Sequence, residues 1–212
     1  MAKKFLVIAP HVDDEAIGCG GSILKHKARG DVVDILYMHC GYEHEARQRE
    51  EEAERACNFM RVDGYHFFDF EAEDYGTQEV GLIELLRRIN PDILYTPHGD
   101  EGDPDHKKVH NLTMGAIWKA NGAHFPHISG RSNIRGVLQY EVHTPILSPN
   151  YLEDISEFVD IKRKLIALYQ SQLAITPYGE GILGLNRYRA VFKEFGDYVE
   201  AFNLKSFRNM FD

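Results

Sequence analysis

Short apolar runs alternate with longer helical patterns along almost the whole of this chain. Phe5–Ala9 reads as a strand that ends at Pro10, and Ala16–Lys27 as a helix rich in small residues. Val32–His39 reads as a second strand. Glu43–Met60, dense in Glu, Arg and Ala, reads as an exposed helix. Tyr65–Phe70 is a short strand, and Glu79–Ile89 carries Val80, Ile83 and Leu86 at helical spacing before Pro91. Asp92–His98 is the next buried strand, followed by a helix from near Asp105 to Ala120, a strand over Gly136–Thr144 and an amphipathic helix over Ile155–Gln172. Such alternation predicts βαβ units. The expected fold class is therefore α/β: a single Rossmann-like domain over residues 1–212, its mainly parallel sheet flanked by helices. Gly122–Arg135 and Thr176–Gly184 read as loops, the first able to cover a site and the second a lid or interface segment.

Within this pattern the mouth of the first strand stands out. Pro10-His11-Val12-Asp13-Asp14-Glu15 places one imidazole and three carboxylates where an apolar strand ends. Open α/β sheets put their ligands beyond the carboxyl ends of their strands. A hydrolytic zinc needs three protein ligands and an open position. His11 and Asp14 can supply two of them, with Asp13 beside the metal to take a proton from water. The acids alone would equally suit the first turn of a helix; His11 shifts the balance toward a ligand. A second strand mouth repeats the pattern: Pro97-His98-Gly99-Asp100-Glu101-Gly102-Asp103-Pro104-Asp105-His106, with His110 one turn later. Asp105 can cap the helix that follows. The repetition suggests that the two mouths share one metal.

The charge balance argues against a nucleic-acid partner. A formal net charge of −9 without a basic face gives no grip on nucleic acid. Cys19, Cys40 and Cys57 are an odd set without zinc spacing, which points to a reducing, cytoplasmic compartment. The first apolar run is cut off by His11 and the acids, too short for a signal peptide, and no later run approaches membrane-spanning length. Gly18-Cys19-Gly20-Gly21 lacks the dinucleotide spacing and follows carboxylates where a pyrophosphate would sit. These glycines read as permitting close helix packing beneath the metal.

These motifs resemble the PIG-L/LmbE-like deacetylases, a family that removes N-acetyl groups from glucosamine-containing conjugates. Pro10–Glu15 matches the family's opening motif, with Val12 where Pro is usual, and Asp103-Pro104-Asp105-His106 matches its His-Pro-Asp-His, with Asp103 where His is usual. Arg49, Glu52 and Ala56 match a helix pattern, and Tyr140-Glu141, Asp154-Ile155-Ser156, Lys164, Tyr169–Gln172 and Glu200-Ala201-Phe202 extend the likeness along the chain. The resemblance implies zinc, or another divalent transition metal, on His11, Asp14 and His106, with Asp13 as general base. It implies Arg49 as a substrate contact and an N-acetylated amino-sugar conjugate as substrate; the lack of an anchor-length apolar run favours a small soluble conjugate, without membrane insertion. Homo-oligomers are possible, and the aromatic tail from Phe192 to Phe211 suits core or interface. The usual His at position 103 can donate to an oxyanion, whereas an ionised Asp103 only accepts. His110, oriented by a substrate-side Asp103, is the preferred replacement over His98 and His143. In the acidic run Asp69–Asp74 a carboxylate could meet sugar hydroxyls. The alternative to a deacetylase is a metal- or carbohydrate-binding protein of the same fold without catalysis. Asp13 argues against it, since holding zinc does not require that residue.

Overall fold

The computed structural model describes residues 2–41, 43–68 and 75–206. In chain order it contains β1 (Lys4–His11), α1 (Asp14–Ala28), β2 (Val32–His39), α2 (Glu43–Met60), β3 (Gly64–Phe67), α3 (Tyr75–Ile89), β4 (Ile93–Pro97), α4 (Pro104–Asn121), β5 (Gly136–Tyr140) and β6 (Tyr151–Asp154). A 3-10 turn (Ser156–Phe158), α5 (Val159–Ile166), α6 (Gln170–Ile175), α7 (Gly179–Lys193) and β7 (Val199–Ser206) complete it. The strands form one seven-stranded sheet in the order β3-β2-β1-β4-β5-β7-β6. β1 to β5 are mutually parallel, and β7 runs antiparallel to both β5 and β6.

β1 is the hinge of this arrangement. Phe5, Val7 and Ala9 face a core shared with α1 and α2, while Leu6 and Ile8 face a second core built with α3 and α4. A strand buried on both faces needs a continuous apolar run, and Phe5–Ala9 is one. The chain leaves β1 toward β2 and β3, then crosses back so that β4 pairs with the other edge of β1. The strand order therefore reverses between β1 and β4, and a crevice opens beyond their carboxyl ends. Those are the two mouths that carry His11 and His106.

α1 runs beneath the crevice, and its glycines allow close packing. A Cβ on Gly18 would overlap the Tyr140 ring, and one on Gly21 would lie 2.7 Å from Ile155 Cγ2. The helix is broken at Cys19 (φ −145°, ψ 20°). Gly21→Ala is expected to destabilise the protein by about 1–3 kcal/mol, because overpacking against the fixed Ile155 outweighs the better helix propensity of alanine. Urea denaturation measures it; an unchanged midpoint would contradict this packing.

Several expected boundaries move. Ile155–Gln172 is not one helix but a 3-10 turn, α5 and α6, separated at Ala167–Tyr169. Thr176–Gly184 is not a loop throughout, because α7 begins at Gly179. Its buried residues Leu183, Asn186, Arg189 and Ala190 pack one face well enough to override the glycines. Gly136–Thr144 is a strand only to Tyr140, and β6 and β7 are antiparallel additions that the periodicity does not reveal. Gly122–Arg135 does not cover the crevice. It leads from the far end of α4 to Gly136, which pairs with Ile93 at the start of β4. There Arg87 donates to the carbonyls of Lys119, Ala120, Gly122, His124, Phe125 and Ile128. In the aromatic tail Phe202 is core, whereas Phe192 and Phe195 are exposed. Asp69–Asp74, with the expected end of the third strand at Phe70, and Phe207 and Phe211 lie outside the described residues. No helix among the described residues is long and apolar enough to cross a membrane.

Candidate metal centre

The crevice brings together a triangle of donor atoms. His106 Nε2 lies 3.2 Å from Asp14 Oδ2 and 3.3 Å from His11 Nδ1. His11 Nδ1 lies 3.5 Å from Asp14 Oδ2. A tetrahedral ion with ligand bonds of about 2.0–2.1 Å separates its ligands by roughly 3.3 Å, so these donors fit one small divalent cation. Local structure fixes each corner. β1 delivers His11, and its backbone N–H bonds Asp14 Oδ2 at 2.8 Å. His106 comes from the first turn of α4, capped by Asp103 Oδ1, which accepts from Asp105 N at 2.7 Å and His106 N at 3.4 Å. The cap is thus Asp103 and not Asp105, with Pro104 at the first helical position where its missing N–H costs nothing.

The surroundings of His106 also suit a metal. Its buried Nδ1 has no hydrogen-bond partner among the described residues and lies 4.0 Å from Glu101 Oε2. An imidazole that gives Nε2 to a cation carries its proton on Nδ1, and a carboxylate is the usual neighbour there. Glu101 is fully buried. Burial works against its charge, but His98 and the Val142 N–H hold its carboxyl below the usual range.

Charge in the cluster favours a cation. Burial depresses the basicity of His11 and His106, yet the Asp14 carboxylate outweighs it; His11 rises to about 9, and His106 rises as well. Burial would also keep Asp14 neutral, but the two imidazoles hold it far below the usual carboxylate range. A field that draws protons onto both imidazoles draws a divalent ion in their place.

Asp13 lies outside the three-donor triangle and beside it. Its backbone is left-handed (φ 101°), a conformation rare for residues other than glycine, and it turns the chain sharply from β1 into α1. Glu15 Oε2 accepts from Asp13 N at 3.2 Å, and Tyr178 OH donates to Asp13 Oδ2 at 2.5 Å. Burial, followed by the Asp14 charge, pushes Asp13 well above the usual carboxylate range, against the pull of the Tyr178 bond. Glu15 is completely buried, takes a hydrogen bond from Tyr169 OH, and is lifted by burial to about 7.

A cavity of about 470 Å³ opens above these groups, within the range of small-molecule sites. Its polar wall includes His11, Asp13, Asp14, Arg49, His143, Gln172, Thr176 and Tyr178, and its apolar wall Ile17, Val142, Ile175 and Ile182. Arg49 both lines the cavity and donates to Glu45 Oε2 at 2.5 Å, while its buried Nε has no hydrogen-bond partner among the described residues. His110 does not line the cavity. Its Nδ1 sits 2.9 Å from Pro97 O, because the carbonyl at the end of β4 needs a donor, and burial lowers the basicity of the imidazole. His143 lines the cavity instead, and its nearest donor atom, with those of Asp103 and His106, falls within 4.8 Å. Sequence reasoning missed Tyr178 and Glu101. Tyr178 lay in a segment read as a loop, and Glu101 was one acid among several.

The chain resembles known proteins in both sequence and structure. A profile described as PIG-L, GlcNAc-PI de-N-acetylase, matches residues 6–117. The chain is 31% identical over 194 residues to the diacetylchitobiose deacetylase of Thermococcus kodakarensis, covering 80% of this chain and 70% of that protein. Its fold superimposes on a conserved protein from Thermus thermophilus with a TM-score of 0.85, at 28% identity over 95% of this chain and 94% of that one. It superimposes on the N,N'-diacetylchitobiose deacetylase of Pyrococcus horikoshii, solved with its inhibitor MPG, with a TM-score of 0.84, at 25% identity over 97% of this chain and 84% of that one.

Proposed function

Because the chain belongs to the PIG-L (GlcNAc-PI de-N-acetylase) family, we propose that it is a zinc-dependent amidohydrolase that removes the N-acetyl group from an N-acetylglucosamine-type sugar conjugate. His11, Asp14 and His106 hold the metal, and Asp13 is the general base. The buried, cavity-facing Asp13 carboxylate beside the donor triangle supports this above all: holding a cation needs the triangle, and hydrolysis needs the base as well. Two histidines and one carboxylate are a donor set that suits zinc and other divalent transition metals.

The bound cation supplies a Lewis acid that makes water a nucleophile near neutral pH. The rest falls to the protein. Tyr178 OH fixes Asp13 Oδ2, which leaves Oδ1 to accept a proton as water attacks the amide carbon. Burial eases this, because it favours the protonated carboxyl. Asp13 then returns the proton to the departing nitrogen as the C–N bond breaks, so one water is consumed and acetate and a free amine are formed. Arg49, Gln172 and Thr176, on the polar wall of the cavity, face the sugar. The two relatives named for diacetylchitobiose make an N-acetylated glucosamine oligosaccharide the first substrate to try. The odd, buried set Cys19, Cys40 and Cys57 suits a reducing cytoplasm.

Zinc-loaded protein should release acetate and amine in equal amounts from at least one of diacetylchitobiose, N-acetylglucosamine and its soluble glycosides. Failure on all of them, with zinc bound, would overturn the proposal.

A further inference from the structure

The segment that follows β5 is irregular, yet it is held on both sides of a single residue. Glu101 accepts from Val142 N at 2.7 Å and from Thr144 N at 3.1 Å. His98 Nε2 donates to Thr144 O at 2.8 Å. Glu141 Oε2 accepts from Ile146 N at 2.8 Å, and Arg189, buried, clamps Glu141 Oε2 and Ile146 O at 2.6 Å each. Four buried ionisable side chains thus fix a few residues of irregular chain. Buried polar groups are costly unless fully satisfied, so this frame is an expensive way to shape an ordinary loop.

The residue at its centre is His143. Its imidazole is exposed, lines the cavity and forms no hydrogen bond with any described residue. Its ring centroid is 5.1 Å from that of His106. The other two imidazoles near the second strand mouth are occupied. His110 is engaged with Pro97 O, and His98 donates to Thr144 O and accepts from Asp100 N at 3.2 Å. Asp103 spends Oδ1 on the α4 cap and, as a carboxylate, cannot donate.

Resting on the deacetylase reading, we propose that His143 is a further catalytic residue, whose imidazole N–H donates a hydrogen bond to the amide carbonyl oxygen as negative charge develops there. A preorganised donor of this kind acts mainly in the transition state, and it must come from a rigid backbone to be effective. The frame around residues 142–146 provides that rigidity.

The test compares zinc-loaded wild type, His143→Ala and His143→Gln by acetate release, by metal content, and by calorimetric binding of a methylphosphonamidate analogue of N-acetylglucosamine, whose charged oxygens imitate the oxyanion. Loss of one such donor is expected to lower kcat by about 10²–10³-fold with KM changed little. Metal content stays unchanged, the analogue binds more weakly to His143→Ala, and glutamine, which keeps an N–H donor, recovers part of the loss. Equal kcat and equal analogue affinity in wild type and His143→Ala would overturn this proposal alone. Loss of metal along with activity would also overturn it, by making His143 a ligand with Asp103 and His106. A wild type that neither hydrolyses any substrate nor binds the analogue would overturn the deacetylase reading and this one with it.

Discussion

Asp13→Asn is expected to lower kcat by about 10²–10⁴-fold, the usual worth of a positioned general base, while the protein still binds one equivalent of metal. The two effects separate because Asp13 stands outside the donor triangle of His11, Asp14 and His106. Asparagine keeps the size of the side chain and an oxygen for the Tyr178 hydroxyl, so the fold and the cavity wall remain. What it loses is a carboxylate able to accept a proton, the role proposed for Asp13. KM should move little, since the lost interaction develops only as the reaction proceeds. Metal analysis alongside steady-state kinetics makes the comparison. A variant that keeps more than about a tenth of wild-type kcat would remove Asp13 from the general-base role. A variant that loses its metal would place it among the ligands.

The second large effect concerns stability and lies beneath the site. In an unbroken α-helix Gly21 N–H would bond Ile17 C=O. At the Cys19 break Gly21 N instead donates to Glu200 Oε1 at 2.8 Å, and Ile17 O accepts from Lys162 Nζ at 2.9 Å. Ser22 adds its N–H at 2.8 Å and its hydroxyl at 2.6 Å to Glu200 Oε2. Lys162 and Glu200 are 2.7 Å apart and completely buried, and Asn186 Oδ1 completes the lysine's shell at 3.1 Å. The ion pair therefore replaces hydrogen bonds that the helix break removes. Lys162→Met should cost about 3–5 kcal/mol, because it leaves Glu200 charged and uncompensated in the core. Lys162→Met with Glu200→Gln should recover much of that loss, since no naked charge remains. Chemical denaturation of the single and double variants measures the coupling. A single variant within about 1 kcal/mol of wild type would mean that the pair is not what holds the break together.

The three donors of the candidate metal centre were legible because the same signature, an apolar strand followed by proline, histidine and acids, occurs at two strand ends. The sheet order that makes those ends neighbours was not, since β1–β4 pairing is a long-range contact that no local periodicity encodes. Spacing alone misplaced His110. It stands one turn after His106, but the carbonyl of Pro97 competes for its ring. Asp103 and Asp105 were both acids at a helix start, and only the backbone path decided which one caps. The Tyr178–Asp13 contact joins residues 165 positions apart, and Tyr178 sat in a stretch whose glycines suggested a loop. The Lys162–Glu200 pair was hidden for a similar reason, because each residue alone looks like surface charge. Local chemistry announced itself in the motifs, whereas the groups that orient it come from distant parts of the chain.

The most direct test of the account follows diacetylchitobiose in ¹⁸O-enriched water with metal-depleted protein, before and after zinc is restored. The depleted protein should form no acetate. After zinc is restored, acetate should appear carrying one oxygen from water, with one free amine for each acetate. Acetate formed at the same rate without metal would contradict the account, as would acetate that carries no oxygen from water, or no acetate from any N-acetylated sugar once zinc is bound.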